Sequence, residues 1–181
     1  MITDLVYASL RKTPILLQYL SLFSDVLVYG GVIGFYLFWL FTSVKTKKIN
    51  WIFFLELSLG LFVGFTLAEW VKITFPEIRP ISYYLPAETL AQAGLPAQPY
   101  FDSFPSRHTL VASILGFLIL PHHFELGAGF VFISILVGLL RWLSLNHWPI
   151  DVLVGWLLGM LIAIFVNELT KFLLRLKNKR T

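Results

Sequence analysis

The chain contains no cysteine in its 181 residues, which excludes disulfide frameworks, thiolate metal sites and thiol nucleophiles. It is also poor in charge: Asp, Glu, Lys and Arg make up 13% of it, about half the share of a typical soluble domain. Its basic residues form no stripe on a polar surface, so the formal charge of +4 does not mark a nucleic-acid partner. No small-residue cleavage site follows the first apolar run, so residues 1 to 24 are not expected to be a removable signal. What fills the chain is apolar. Hydrophobic residues reach 57% and the mean hydropathy is +0.79, more than one soluble core requires. The expectation is an all-α polytopic helix bundle in a lipid bilayer.

About five transmembrane helices can be drawn on the sequence. Val26 to Val44 has 19 residues without a charge, and at ~1.5 Å per residue it covers most of a ~30 Å hydrocarbon core. Trp51 to Phe75 follows, with Glu56 and Glu69 inside it. A short span runs from Ser106 to Leu120, stopping before Pro121-His122-His123, then Leu126 to Leu143 and Pro149 to Leu169. Residues 1–25 mix Asp4, Arg11, Lys12 and Pro14 with apolar residues and are expected to form an interfacial helix. The part from Pro14 could instead cross the membrane, giving a sixth span, or extend the first span. The domain reading is therefore 1–25 interfacial, 26–170 transmembrane and 171–181 a basic tail. Glycine pairs at Gly30/Gly34, Gly60/Gly64 and Gly155/Gly159 are expected to allow close helix contacts within the chain.

With five spans, Lys45, Lys47, Lys48, Lys171, Arg175, Lys177, Lys179 and Arg180 share one side. Arg11, Lys12, Lys72, Arg79, Arg107 and Arg141 share the other. The last four belong to the blocks described next, so ordinary loop cations stand eight against two, and the positive-inside rule makes the eight-cation side cytoplasmic. The blocks then open on the outer face of the plasma (inner) membrane, with the C-terminus in the cytoplasm.

Those blocks bring charge to the ends of apolar helices, where it is costly unless it has a use. Lys72 and Arg79-Pro80 offer a point charge and a planar fork to one anion. In Pro105-Ser106-Arg107-His108, the free N–H groups at a helix start and the Ser106 hydroxyl are expected to cradle an anion. Arg141, His147 and Asp151 form the third. Asp151 stands one turn beyond His147, close enough to accept its imidazole N–H and leave the other nitrogen free to attack. Glu69, three residues before Lys72, is expected to pair with it. His122 and His123 are expected in a loop on the opposite side, and Glu56 as a buried polar contact.

These blocks resemble the three motifs of the type 2 phosphatidic acid phosphatase family. Lys72, six residues, Arg79-Pro80 matches the first. Pro105-Ser106-Arg107-His108 is similar to the second, with Arg107 where glycine is common. Arg141, five residues, His147, three residues, Asp151 matches the third, with Leu140 in place of the usual preceding serine. The resemblance covers residues 50 to 165 and is closest to compact bacterial members such as undecaprenyl diphosphate phosphatases. It implies a metal-independent lipid phosphatase needing no cofactor. His147 is the nucleophile that forms a phosphohistidine, Asp151 its support and His108 the acid for the leaving oxygen. Lys72, Arg79, Arg141, Ser106 and the Arg107 amide hold the phosphate oxygens.

His108, His147 and Asp151 could instead ligate a metal, but Lys72, Arg79, Arg107 and Arg141 favour an anion over a dication. A non-hydrolytic lipid or anion carrier would not need two histidines and a carboxylate. Undecaprenyl diphosphate, phosphatidylglycerophosphate, phosphatidic acid and lipid A phosphates all remain open as substrates, as does the oligomeric state. The 32 residues from Pro76 to Arg107 are long enough for a lid, a headgroup wall or a plain interfacial loop.

Overall fold

The structure, a computed structural model, describes residues 13–46, 51–92 and 100–179. Residues 1–12 of the expected interfacial helix, the cations Lys47, Lys48 and Arg180, and residues 93–99 of the long loop lie outside them. The described residues are helical with no strand: α1 (Pro14–Thr46), α2 (Trp51–Thr74), α3 (Pro80–Tyr84), α4 (Ala87–Gln92), α5 (Arg107–Ile119), α6 (Phe124–Leu143) and α7 (Pro149–Asn178).

Four helices are long and apolar enough to cross a membrane, namely α1, α2, α6 and α7. The expected third span is α5, an apolar helix of only 13 residues, about 20 Å long. It can be short because it is the centre of the bundle, packed against α1, α2, α6 and α7. Leu110, Ile114, Leu115, Leu118 and Ile119 are buried there with Leu57 and Val166. The outward faces of the long helices carry exposed Phe62, Ile73, Phe132 and Phe165, the pattern of a surface that lipid covers.

The first helix departs from the boundary drawn at residue 25. With no breaker after Pro14, α1 runs unbroken for 33 residues, so the chain from Pro14 onward is one helix with the first span. Similarly, α7 continues past Leu169 through the basic residues to Asn178.

Two of the three glycine pairs bring helices together. A Cβ on Gly64 would lie 2.5 Å from the Ile114 side chain, and one on Gly155 or Gly159 would lie 2.5 Å from the Ser106 carbonyl or 2.4 Å from that of Leu110. Thus α7 presses directly on the backbone of the second block. Gly30 and Gly34 face open space, contrary to the expectation of a close contact there.

The long loop is packed rather than loose where it is described. Ile81, Leu85 and Leu90 bury against Leu17 of α1 and Leu145, while Tyr84 and Trp148 pack on the same cluster.

Candidate active site

His147 sits in the turn from α6 to α7, and that turn is a helix stop built without glycine. The Leu145 N–H donates to the Trp142 carbonyl (3.0 Å) and the Asn146 N–H to the Arg141 carbonyl (3.2 Å), the paired bonds of a Schellman motif. Leu145 takes the left-handed position, with φ 58°. A leucine is tolerated there because its side chain is fully buried in the loop cluster and its carbonyl accepts from the Ile81 N–H at 2.8 Å.

His147 is 1% exposed, and its Nδ1 lies 2.6 Å from the backbone carbonyl of Ser103. That carbonyl can only accept, so Nδ1 carries the hydrogen and Nε2 is left with its lone pair. The expected partner is different: Asp151 Oδ2 stands 3.8 Å from Nδ1, beyond hydrogen-bond range. Asp151 instead closes the first turn of α7. Its Oδ2 accepts from the Trp148 N–H (2.8 Å) and from the Ser103 hydroxyl (2.5 Å). It therefore holds the residue that holds His147, and adds its charge from 3.8 Å. Burial pushes the His147 pKa well below its usual value, and the charges of Arg141, Arg79 and Lys72 push it the same way.

The cations meet carboxylates that the motifs did not contain. Arg79 makes two 2.7 Å bonds, Nε and one terminal nitrogen, to the two oxygens of Asp102. Its other terminal nitrogen reaches Asn146 Oδ1 at 3.2 Å. Burial raises the Asp102 pKa, but the Arg79 bonds and the charges of Arg79 and Lys72 outweigh it and hold the carboxyl below its ordinary value. Lys72, buried, donates to the Asp102 carbonyl.

Arg141 is 3% exposed and donates to Asp25 Oδ1 at 3.0 Å, the same oxygen that lies 2.9 Å from His108 Nε2. The Arg141 Nε is buried with no partner among the described residues. Arg107 is drawn aside: its guanidinium pairs with Glu69 and lies over the Phe65 ring. Glu69 therefore pairs with Arg107, not with Lys72 as its spacing suggested, because the close α2–α5 packing carries Arg107 to it.

Ser106 also differs from the expectation. Its hydroxyl meets Thr109 Oγ1 at 2.9 Å and its N–H donates to the Asp151 carbonyl at 3.0 Å. The N–H joins α5 to α7 and the hydroxyl is engaged within the first turn of α5, so the anion cradle is reduced to the first N–H groups of α5 itself. At the far end of α5, His122 is more than a loop residue. Its Nε2 lies 3.1 Å from buried Glu56, and its ring packs on Phe53 at 4.7 Å.

Sequence reasoning missed Asp25, Ser103 and Asp102. Asp25 had a usable signal, since an acid in an apolar helix is by default suspect; drawing the span from Val26 put it just outside. Ser103 and Asp102 lie in irregular chain with no period, and nothing in their spacing points to His147 or Arg79.

A profile of the PAP2 superfamily matches residues 52–175, the stretch holding all three blocks. The chain belongs to the PAP2 superfamily. Among PAP2 relatives it is 29% identical over 144 residues to the bacitracin transport permease protein BcrC of Bacillus licheniformis, covering 79% of this chain and 66% of that protein. It is 28% identical over 123 residues to an undecaprenyl-diphosphatase of Sulfolobus acidocaldarius, covering 66% of this chain and 54% of that one. The chain thus spans just under two thirds of one relative and about half of the other.

Two crystal structures share the fold. LpxE of Aquifex aeolicus aligns with a TM-score of 0.57 at 23% identity over 83% of this chain and 86% of its own. The first transmembrane PAP2-type phosphatidylglycerolphosphate phosphatase from Bacillus subtilis aligns with a TM-score of 0.53 at 20% identity over 94% and 86%. With four apolar helices of spanning length around α5, this PAP2 protein is a multi-pass membrane protein.

Proposed function

We propose that the protein is a lipid phosphate or diphosphate phosphatase that works through a phosphohistidine on His147. The observation that carries this is the state of that ring: buried, uncharged near neutral pH, with Nδ1 held by the Ser103 carbonyl and three cations around it. Nε2 attacks phosphorus in line, and the P–O bonding pair leaves on the lipid-side oxygen, which takes the proton of His108. Water then attacks the phosphohistidine, returning a proton to His108 and the P–N pair to His147. Lys72, Arg79 and Arg141 supply the charge that phosphoryl transfer chiefly demands. To receive a phosphate, Arg79 exchanges the Asp102 carboxylate oxygens for phosphate oxygens, ligands of the same charge sign and geometry, while Arg141 keeps Asp25 on one terminal nitrogen and offers the rest of its guanidinium edge.

A lipid leaving group is supported by an apolar groove of about 190 Å³ beside the acid, lined by Val28, Tyr29, Leu61, Phe65, Arg107 and His108. The names of the relatives point to undecaprenyl diphosphate and phosphatidylglycerophosphate as the first substrates to try, with phosphatidic acid and lipid A phosphates beside them. The phosphatase unit is residues 26–170 together with the Ser21–Asp25 turn of α1, with 171–181 a basic tail on the cytoplasmic side. The site faces outward from the plasma membrane.

The test is phosphate release from those lipids by purified protein in chelator, with rapid quenching of labelled substrate. Release that survives chelation, with acid-labile, base-stable label on the wild type and none on His147→Ala, is expected. Lipid binding without release would make the protein a carrier. Release that needs metal and leaves no phosphoprotein would replace the histidine with an activated water.

A further inference from the structure

We propose that Asp25 is the positioning residue of the acid. Its carboxylate accepts the Nε2 hydrogen of His108, so favouring the charged ring that has a second N–H to give, and ties that ring to Arg141, the side chain that grips the phosphate. This rests on the reading of His108 as proton donor to the leaving oxygen.

A single carboxylate oxygen makes both contacts, 2.9 Å to His108 Nε2 and 3.0 Å to Arg141. An ionised carboxylate only accepts, so the hydrogen of His108 sits on Nε2 whether the ring is neutral or charged. The form of His108 that can protonate an alkoxide is the imidazolium, which carries a hydrogen on each nitrogen; with Nε2–H held by Asp25, the hydrogen on Nδ1 is the one it gives, and the carboxylate offsets the ring's charge.

The rest of α1 is built around the same two groups. One turn before Asp25, the hydroxyl of Ser21 meets Arg141 at 3.2 Å, and that of Ser24 at 3.4 Å. One turn after it, Tyr29 sets its ring edge-on to His108 with centroids 5.9 Å apart. The charges that face His108 are Asp25 from α1, Arg141 from α6, and Arg107 from its own helix with Glu69 of α2 as that arginine's partner. Arg107 is already matched, which leaves Asp25 as the anion that offsets Arg141 at the ring. In the reaction Asp25 neither gains nor loses a proton. The proton moves from Nδ1 to the leaving oxygen and returns from water in the second half, while Nε2 keeps its hydrogen on Asp25.

The alternative is that Asp25 merely fills the place of the phosphate, and the two readings differ in sign. The measurement is kcat and KM of the full chain in detergent, on a dialkyl-glycerol phosphate, whose leaving alcohol needs a proton, and on 4-nitrophenyl phosphate, whose leaving group does not. Asp25→Asn and Asp25→Ala should lower kcat on the lipid roughly ten- to a hundredfold and on the aryl ester by less than about threefold, the pattern of lost acid catalysis. His108→Ala run alongside should show the same bias, more strongly. Retained aryl-ester turnover also establishes that the variants are folded.

Equal losses on both substrates in both variants would overturn the assignment, and so would a fall in KM with kcat kept, which is what removing a plug would do. If His108→Ala is biased and the Asp25 variants are not, the Asp25 assignment alone fails. If His108→Ala shows no bias, the acid reading fails and takes this one with it. A wild type that releases phosphate from neither substrate would end the phosphatase reading itself.

Discussion

At the residue scale, two acids and a serine decide what the histidines can do. His147 is aimed by the Ser103 carbonyl, and Asp151 acts on it through the Ser103 hydroxyl and through space. Because one oxygen of Asp151 accepts both of its bonds, the amide oxygen of Asn can take over both. Asp151→Asn should therefore fold and melt close to wild type while kcat and the yield of phosphoprotein fall roughly ten- to a hundredfold, the effect of losing a charge that steadies a developing imidazolium. Ser103→Ala keeps the carbonyl but strips the carboxylate of a buried bond. It should cost about 1–3 kcal/mol of stability, with a smaller loss in kcat than Asp151→Asn. Thermal unfolding in detergent and single-turnover kinetics on the two variants separate these roles; full activity in Asp151→Asn would remove Asp151 from the mechanism.

At the scale of elements, the site is the junction of α5 and α7, and glycine makes the junction possible. Ser106 donates its N–H to the Asp151 carbonyl while its own carbonyl lies against Gly155. A methyl group at Gly155 would stand 2.5 Å from that oxygen, so either α7 moves out or the turn before α5 does. Gly155→Ala should destabilise the protein by about 1–3 kcal/mol and depress activity further, since Ser103 and His147 sit on the two displaced segments. Gly34→Ala is the control. Nothing lies within 4 Å of the added carbon, and an alanine in a helix interior is favoured over glycine by up to about 1 kcal/mol, so its unfolding temperature should match or exceed wild type with activity unchanged. A Gly155→Ala protein as active as Gly34→Ala would show that the junction tolerates a shift of this size.

At the scale of the whole molecule, charge is paired at both ends of the central helix. On one end Asp25, Asp102 and Glu69 match Arg141, Arg79 and Arg107; on the other Glu56 meets His122. Such pairing is what an apolar environment demands of ionisable groups that must stay there. Which end faces out is a matter for labelling. In this cysteine-free chain a single cysteine at exposed Tyr83 or at exposed Lys177 gives an unambiguous signal. The first should react with an impermeant reagent in intact cells and the second only after lysis. The reverse order would turn the site toward the cytoplasm and defeat the count of loop cations.

The sequence by itself determined the class of the protein, the order of its spanning helices and the three blocks that resemble the family's motifs, because hydropathy is local and those motifs are spaced along one chain. It also located His147 in a short connection between two helices, where a proline in the first turn of α7 marks the start. It could not say what each charged group touches. Asp25 reaches Arg141 across 116 residues of chain, Arg79 reaches Asp102 across 23, and Ser103 reaches Asp151 across 48. Those partners follow from helix packing, and no period or spacing records them. The tertiary structure alone decided that Glu69 belongs to Arg107, that the Ser106 N–H is spent on joining two helices, and that a backbone carbonyl, not Asp151, sets the tautomer of His147. The reason is the same each time: in a buried polar site donors pair with the acceptors that packing brings to them, and packing is a property of the whole bundle.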